Sequence, residues 1–142
     1  MKLPALLILL LLGAFQRCND DAVHLPDGQL MLKVNEAYKT GEVELLLTGI
    51  NDSRCPEGVN CVWAGAAVTT LALKAPALQD TLQLCLGDCR QLRLPFQEKH
   101  SDTLSLNGRR YELTLLEVLP YPGAGKEGED KAAQYSFRKL PE

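Results

Sequence analysis

Histidine and aromatic side chains are scarce in this 142-residue chain: two His, three Phe, four Tyr and a single Trp. His24 and His100 each stand in a polar stretch with no second ligand at helical or strand spacing, so they read as solvated loop residues and not as metal ligands. No segment sustains a helical period, which excludes bundles and alternating strand–helix folds. There is no basic cluster either. Fifteen Lys and Arg against eighteen Asp and Glu give a net charge of −3, and nothing among them could follow a phosphate backbone, so nucleic acid is excluded as a partner. Ser53 and Ser105 lack the glycine pattern of a nucleophile elbow. The carboxylates are scattered along strand faces or gathered in the solvated Glu127-Gly-Glu-Asp130 run. No catalytic residue and no cofactor is assigned, and the chain reads as a non-enzyme.

What is present begins with Lys2-Leu-Pro-Ala-Leu-Leu-Ile-Leu-Leu-Leu-Leu-Gly-Ala14, one positive charge and then an apolar run. A permanent bilayer span needs about 20 such residues; this run is shorter and has the form of a secretory signal peptide. No later run is long enough for a membrane helix. Cys18 stands alone where the signal ends, and an odd cysteine in an exported protein requires an explanation. A signal followed at once by cysteine resembles a bacterial lipoprotein; Phe15-Gln16-Arg17 departs from the usual Leu-Ala-Gly type of recognition sequence, a departure that the looser cleavage signals of Bacteroidota-like lipoproteins accommodate. The resemblance implies lipidation at Cys18, a membrane partner through that anchor, and a place in the cell envelope, on the outer membrane. Asn19-Asp20-Asp21 is similar to the acidic tether of surface-directed lipoproteins. The expected organisation is a signal peptide over 1–17, a tether over 18–28 and one domain over 29–142. Loss of Lys2 and Arg17 leaves 13 basic and 18 acidic residues, a net charge of −5.

From Gln29 the chain reads as β. Leu30, Leu32, Val34 and Tyr38 form one alternating run; Val43, Leu45 and Leu47 form another after Gly41. Val62 to Lys74 is rich in Val, Thr and Leu and stops at Ala75-Pro76-Ala77. Leu82 and Leu84 are expected to face Leu92 and Leu94 across a turn at Leu86-Gly87-Asp88. Thr103–Leu106 and Arg109–Leu119 are joined at Asn107-Gly108, the strongest short hairpin signal. A last strand covers Gln134–Leu140, with Tyr135 and Phe137 in phase. About eight short strands with regular turn signals predict an all-β single domain, an antiparallel β-sandwich or partly open barrel, and this length suffices for one core.

Asn51-Asp-Ser-Arg-Cys-Pro-Glu-Gly-Val-Asn-Cys-Val-Trp-Ala-Gly65 is the segment whose residues look individually chosen. Asp52 and Ser53 favour turns, Pro56 restricts Cys55, and five residues separate Cys55 from Cys61, a spacing a disulfide closes. Trp63, two residues on, is expected on the same strand face, with its ring sealing the end of the core. Cys85 and Cys89 flank the Leu86–Asp88 turn on the face opposite the leucines. Four body cysteines allow three pairings; the local one, Cys55–Cys61 with Cys85–Cys89, suits an oxidising compartment. The competing reading is a cysteine-based metal-binding or redox site: Cys85-x3-Cys89 has zinc-like spacing, whereas Cys55-x5-Cys61 is wide. No metal ligand is assigned. Asp80-Thr-Leu82 and Asp102-Thr-Leu104 are similar to short O-glycosylation motifs.

Asp52-Ser-Arg-Cys-Pro-x-Gly-Val-x-Cys-Val-Trp-Ala-Gly65, together with Tyr111-x-Leu-x-Leu-x-Glu-Val-x-Pro-Tyr-Pro122 and a tyrosine-led final strand, resembles a family of small bacterial exported proteins and lipoproteins of uncharacterised function. Cys85 and Cys89 are not part of that pattern. The resemblance implies the all-β fold and the exported compartment and carries no activity. The expected function is a binding or accessory module of the cell envelope, engaging a protein or glycan. Its candidate contact surface is loop 51–65, with Arg54, Glu57, Asn60 and Trp63 facing the partner, because function concentrates on loops held by rigid frameworks.

Overall fold

The structure is a computed structural model that describes residues 24–25, 28–126 and 128–141, the first two by backbone alone. The signal peptide, Cys18 and most of the tether lie outside the described residues. Among the described residues nine strands follow in order: β1 (His24–Leu25), β2 (Gln29–Lys33), β3 (Ala37–Thr40), β4 (Val43–Asp52), β5 (Ala66–Ala75), β6 (Leu78–Gly87), β7 (His100–Leu106), β8 (Arg109–Leu119) and β9 (Ala132–Lys139). A short 3-10 helix at Cys89–Leu92 follows β6. Two antiparallel sheets result, β1-β2-β9-β8-β7 and β3-β4-β5-β6, stacked as a β-sandwich. The two-residue β1, inside the stretch read as tether, pairs with Leu30 and Gln29.

The core follows from alternation, because side chains two apart share a sheet face. Leu30 and Leu32, Leu45 and Leu47, Leu71 and Leu73, Leu84 and Leu86, and Leu113 and Leu115 all point between the sheets, joined by Tyr135. Two bulges change the phase. The β4–β5 register shifts between Leu47 and Gly49, and the β8–β9 register between Leu115 and Glu117. An extra residue turns the strand over, so β4 continues inward with Ile50, and β8 with Val118. At the margin of the core, Phe137 stacks on Tyr111 with ring centroids 5.1 Å apart.

Asn107-Gly108 makes the expected two-residue hairpin between β7 and β8. Both residues have positive φ, 50° and 74°, as a turn matched to strand twist requires. Three expectations are corrected. The first run does not stay in one strand: Asn35, at φ 69°, breaks it, and the chain passes from one sheet to the other between β2 and β3. Ala75-Pro76-Ala77 is not only a stop, because Ala75 pairs with Leu78 across a tight hairpin. The hairpin of Leu82 and Leu84 with Leu92 and Leu94 does not form. β6 pairs instead along its whole length with β5, which offers ten residues of uninterrupted ladder, and the chain after Gly87 folds back as the 3-10 helix.

That return builds a second, smaller core. Ala66, Val68, Cys85 and Cys89 are buried on the outer face of the second sheet beneath Leu92 and Leu94. Cys85 does lie opposite the leucine face, as its phase requires, yet it is fully buried. As an edge strand, β6 has backbone groups that no neighbouring strand pairs. The Cys85 N–H donates to Nδ1 of His100 at 3.1 Å. His100 is thus not a solvated loop residue: it begins β7 and is partly buried, and burial lowers its pKa despite the opposing charge of Asp102.

Candidate functional site

β4 and β5 are joined at one end of the sandwich by the loop over residues 53–65. Cys55–Cys61 closes within it, with Cα atoms 5.9 Å apart. The disulfide is only one of its restraints. The Ser53 N–H donates to Ala66 O at 2.8 Å and the Cys55 N–H to Ala64 O at 2.8 Å, so the two arms of the loop are laced at the base. The Glu57 N–H donates to Pro122 O at 2.9 Å, tying the tip to the loop after β8. Gly65 completes the lacing: at φ +68°, a Cβ there would lie 1.9 Å from Ser53 O, so only glycine lets the arms approach this closely. The Gly65 carbonyl in turn accepts from the Asp88 N–H at 2.9 Å.

Arg54 is the loop's clamp. Its guanidinium donates to Asp52 through Nε to Oδ1 and Nη2 to Oδ2, both at 2.8 Å, and to Val118 O at 2.8 Å. It also lies 4.3 Å from the Tyr121 ring centroid, a cation–π contact. Only 9% of the Arg54 side chain and none of the Asp52 side chain is exposed. Lys131 adds a second cation 2.9 Å from Asp52 Oδ2. Burial raises the Asp52 pKa, but hydrogen bonds from Arg54 and Lys131 outweigh it and hold the carboxyl below its ordinary value. The expectation that Arg54 faces a partner is therefore corrected: the nearest compensating charge is Asp52, and turning outward would leave that carboxylate buried with Lys131 alone.

Trp63, expected both to seal the core and to stand among the contact residues, keeps only the outward position. It does not seal the core; it is 70% exposed. The strand expected from Val62 begins only at Ala66, and the base lacing together with the left-handed turn at Gly65 directs 61–64 away from the sandwich. Val62 and Val59 are exposed beside it in sequence. Glu57 and Asn60 are exposed as expected, with Glu57 ion-paired to Lys126 at 3.3 Å. The structure thus groups Glu57, Val59, Asn60, Val62 and Trp63 as the outward surface and leaves Arg54 inside.

Both disulfides form with the local pairing. Cys85–Cys89 does not span a hairpin mouth; it pins the 3-10 helix to β6 inside the small outer core. That places Asp88, Arg90 and Gln91 across a cleft of about 300 Å³ from Trp63, with Ser53 at its wall. Arg90 Nε donates to Asp88 Oδ1 at 2.7 Å, with a second bond between the same groups, and the Arg90 guanidinium holds the Asp88 carboxyl below its usual range. Sequence reasoning missed these three residues because it placed them in a hairpin. The one signal available was their position beside a cysteine pair. Thr81 and Thr103, in the Asp-Thr-Leu triplets, are exposed on the edge strands β6 and β7. Among the described residues, no three His, Cys, Asp or Glu side chains gather as a ligand set, and no helix is long and apolar enough to cross a membrane. No family model, curated protein or solved structure matches this chain.

Proposed function

We propose that this chain is a binding or accessory module of the cell envelope, exported by its N-terminal signal, held to the membrane by lipid on Cys18, and engaging a partner through loop 53–65. The observation that carries the reading is the outward display of Val59, Val62 and Trp63, with exposures of 55%, 103% and 70%, on a loop restrained by a disulfide, a buried ion pair and base lacing. Exposed apolar side chains forgo burial worth roughly 1.5–3 kcal/mol each. Fixing them in one shape lowers the entropy lost when a partner covers them. The absence of an assigned nucleophile or acid–base pair in the sequence, the signal-then-cysteine pattern and the resemblance to exported lipoproteins support the same reading.

Two measurements test it. Non-reduced intact mass of the protein from its own membrane fraction should begin at Cys18, carry acyl chains and lack four hydrogens. Envelope partners captured by crosslinking should be lost when Val59→Ser, Val62→Ser and Trp63→Ala are combined, with the unfolding midpoint unchanged. A lipid-free mass refutes the anchor. Undiminished capture by the triple variant refutes the loop as the contact surface.

A further inference from the structure

We infer that the cleft between Trp63 and the Asp88–Arg90–Gln91 segment is a saccharide-binding site, in which a pyranose ring stacks on the indole and its hydroxyls bond the polar wall. The inference rests on the binding-module reading and names its ligand class. Three observations converge on it. Trp63 is 70% exposed on a restrained loop, so its ring is a standing platform. The cleft, at about 300 Å³, sits at the small end of ligand-site volumes, roughly 300–1,000 Å³, and suits one or two sugar rings. Its polar wall mixes acceptor, donor and amide: Asp88 accepts, Arg90 donates, Gln91 does both. Hydroxyl groups on adjacent sugar carbons also both donate and accept, and the C–H face of the ring is apolar, so an indole opposite such a wall matches both sides of a pyranose.

The Asp88–Arg90 pair is itself part of the fit. The two groups already fix one another through two hydrogen bonds, while the Arg90 side chain remains 77% exposed and Asp88 22%. Neither has to be desolvated alone to receive a hydroxyl. A lipid surface fits this cleft less well. The net charge of −5 that follows loss of Lys2 and Arg17 opposes approach to anionic headgroups, and a charged wall beside the indole resists entry into acyl chains. A protein interface needs roughly 800 Å² from each partner, far more than the cleft presents.

The single tryptophan of the chain lies in this cleft, so fluorescence excited at wavelengths beyond tyrosine absorption reports on it alone. The mature protein is titrated with linear tetrasaccharides of glucose, galactose, mannose and N-acetylglucosamine, and in parallel with phosphatidylethanolamine–phosphatidylglycerol vesicles. At least one tetrasaccharide should shift the Trp63 emission saturably. Arg90→Ala and Gln91→Ala, both exposed and both sparing the indole, should each weaken that binding, Arg90→Ala about tenfold, the equivalent of one lost hydrogen bond to a charged group, and Gln91→Ala about fivefold, the equivalent of one between neutral groups. Emission unchanged by every sugar overturns the inference. So does a sugar response that neither substitution weakens, or a response to vesicles alone. Silence toward sugars alongside loop-dependent capture of an envelope protein removes the saccharide and leaves the module standing. A lipid-free native protein that still responds to sugar removes the anchor and leaves the cleft standing.

Discussion

Replacing Arg54 by alanine separates a side chain that holds the loop from one that greets a partner. The guanidinium makes three hydrogen bonds, each of 2.8 Å, to Asp52 and Val118 O, and covers the Tyr121 ring. Removing one member of a buried ion pair costs about 3–5 kcal/mol, since the other charge is left without compensation. Here Lys131 stays 2.9 Å from Asp52 and is itself 32% exposed, which brings both a counter-charge and access to water. The expected loss is therefore smaller, about 2–3 kcal/mol, or roughly 8–12 °C in Tm for a domain of this size. Arg54→Lys keeps the charge but not the planar fork and should fall between alanine and the native protein. Urea unfolding of the oxidised protein, followed by far-ultraviolet circular dichroism, measures these differences. The double variant Asp52→Asn with Arg54→Ala should cost less than the two single changes added together, by about 1–3 kcal/mol, because the groups act as one unit. If Arg54→Ala unfolds within about 0.5 kcal/mol of the native protein, as an exposed surface substitution does, the clamp assignment is wrong and Arg54 returns to the contact surface.

Gly65→Ala should destabilise more than Gly41→Ala. Both positions have positive φ, costing roughly 1–2 kcal/mol for alanine, but only at Gly65 does the added carbon meet backbone, at 1.9 Å, while Gly41 has nothing within 4 Å; equal unfolding midpoints would falsify the lacing argument. His100 makes stability depend on pH. Only a deprotonated Nδ1 accepts from the Cys85 N–H, and burial lowers the folded-state pKa below the ordinary 6.5. The contribution is therefore present above pH 6.5 and is lost as pH falls from there through the lower folded value. Urea midpoints should drop from pH 7.5 to pH 5.5 (a window above the usual carboxylate range). His100→Asn, which keeps an acceptor near the same place, should flatten that slope. Finally, dithiothreitol should reduce Cys55–Cys61, whose residues reach solvent, in the folded protein, and should reduce Cys85–Cys89, at 0% exposure for both residues, only on unfolding. Mass-mapped alkylation that finds both pairs opening together would sink this assignment.

Much of the sandwich was legible because a half-buried strand writes its own alternation. Leu30 and Leu32, Val43 to Leu47, and Leu113 and Leu115 read directly as inward positions, and Asn107-Gly108 named its turn. Short-range disulfides were legible for a related reason: five or three intervening residues leave a cysteine few other partners. The failures cluster where one local pattern served two structures. Leu82 and Leu84 could have faced Leu92 and Leu94 as readily as lain beside β5, and alternation is blind to which strand is the neighbour. Arg54 was misplaced for a similar reason, and Trp63 carried two readings, a plug and a contact residue, of which only the first fails. A large ring beside a disulfide looks like a plug and an arginine in a loop looks like a contact; Val118, Tyr121 and Lys131, more than sixty residues from Arg54 in sequence, hold the arginine inside, while the lacing at Gly65 turns the ring outward.

The amino-acid sequence by itself determined the all-β character, the main core, the local preference of both cysteine pairs and the special standing of residues 51–65, because each rests on interactions between near neighbours: strand alternation, turn chemistry and short loop closure. Tertiary structure alone decided which side of that loop faces outward. It did so by bringing the β8 end, with its Val118 carbonyl and Tyr121 ring, under Arg54, and by folding Asp88–Gln91 back toward Trp63. Those approaches depend on how two sheets stack and on where β6 finds its ladder, and no local pattern along the chain encodes them.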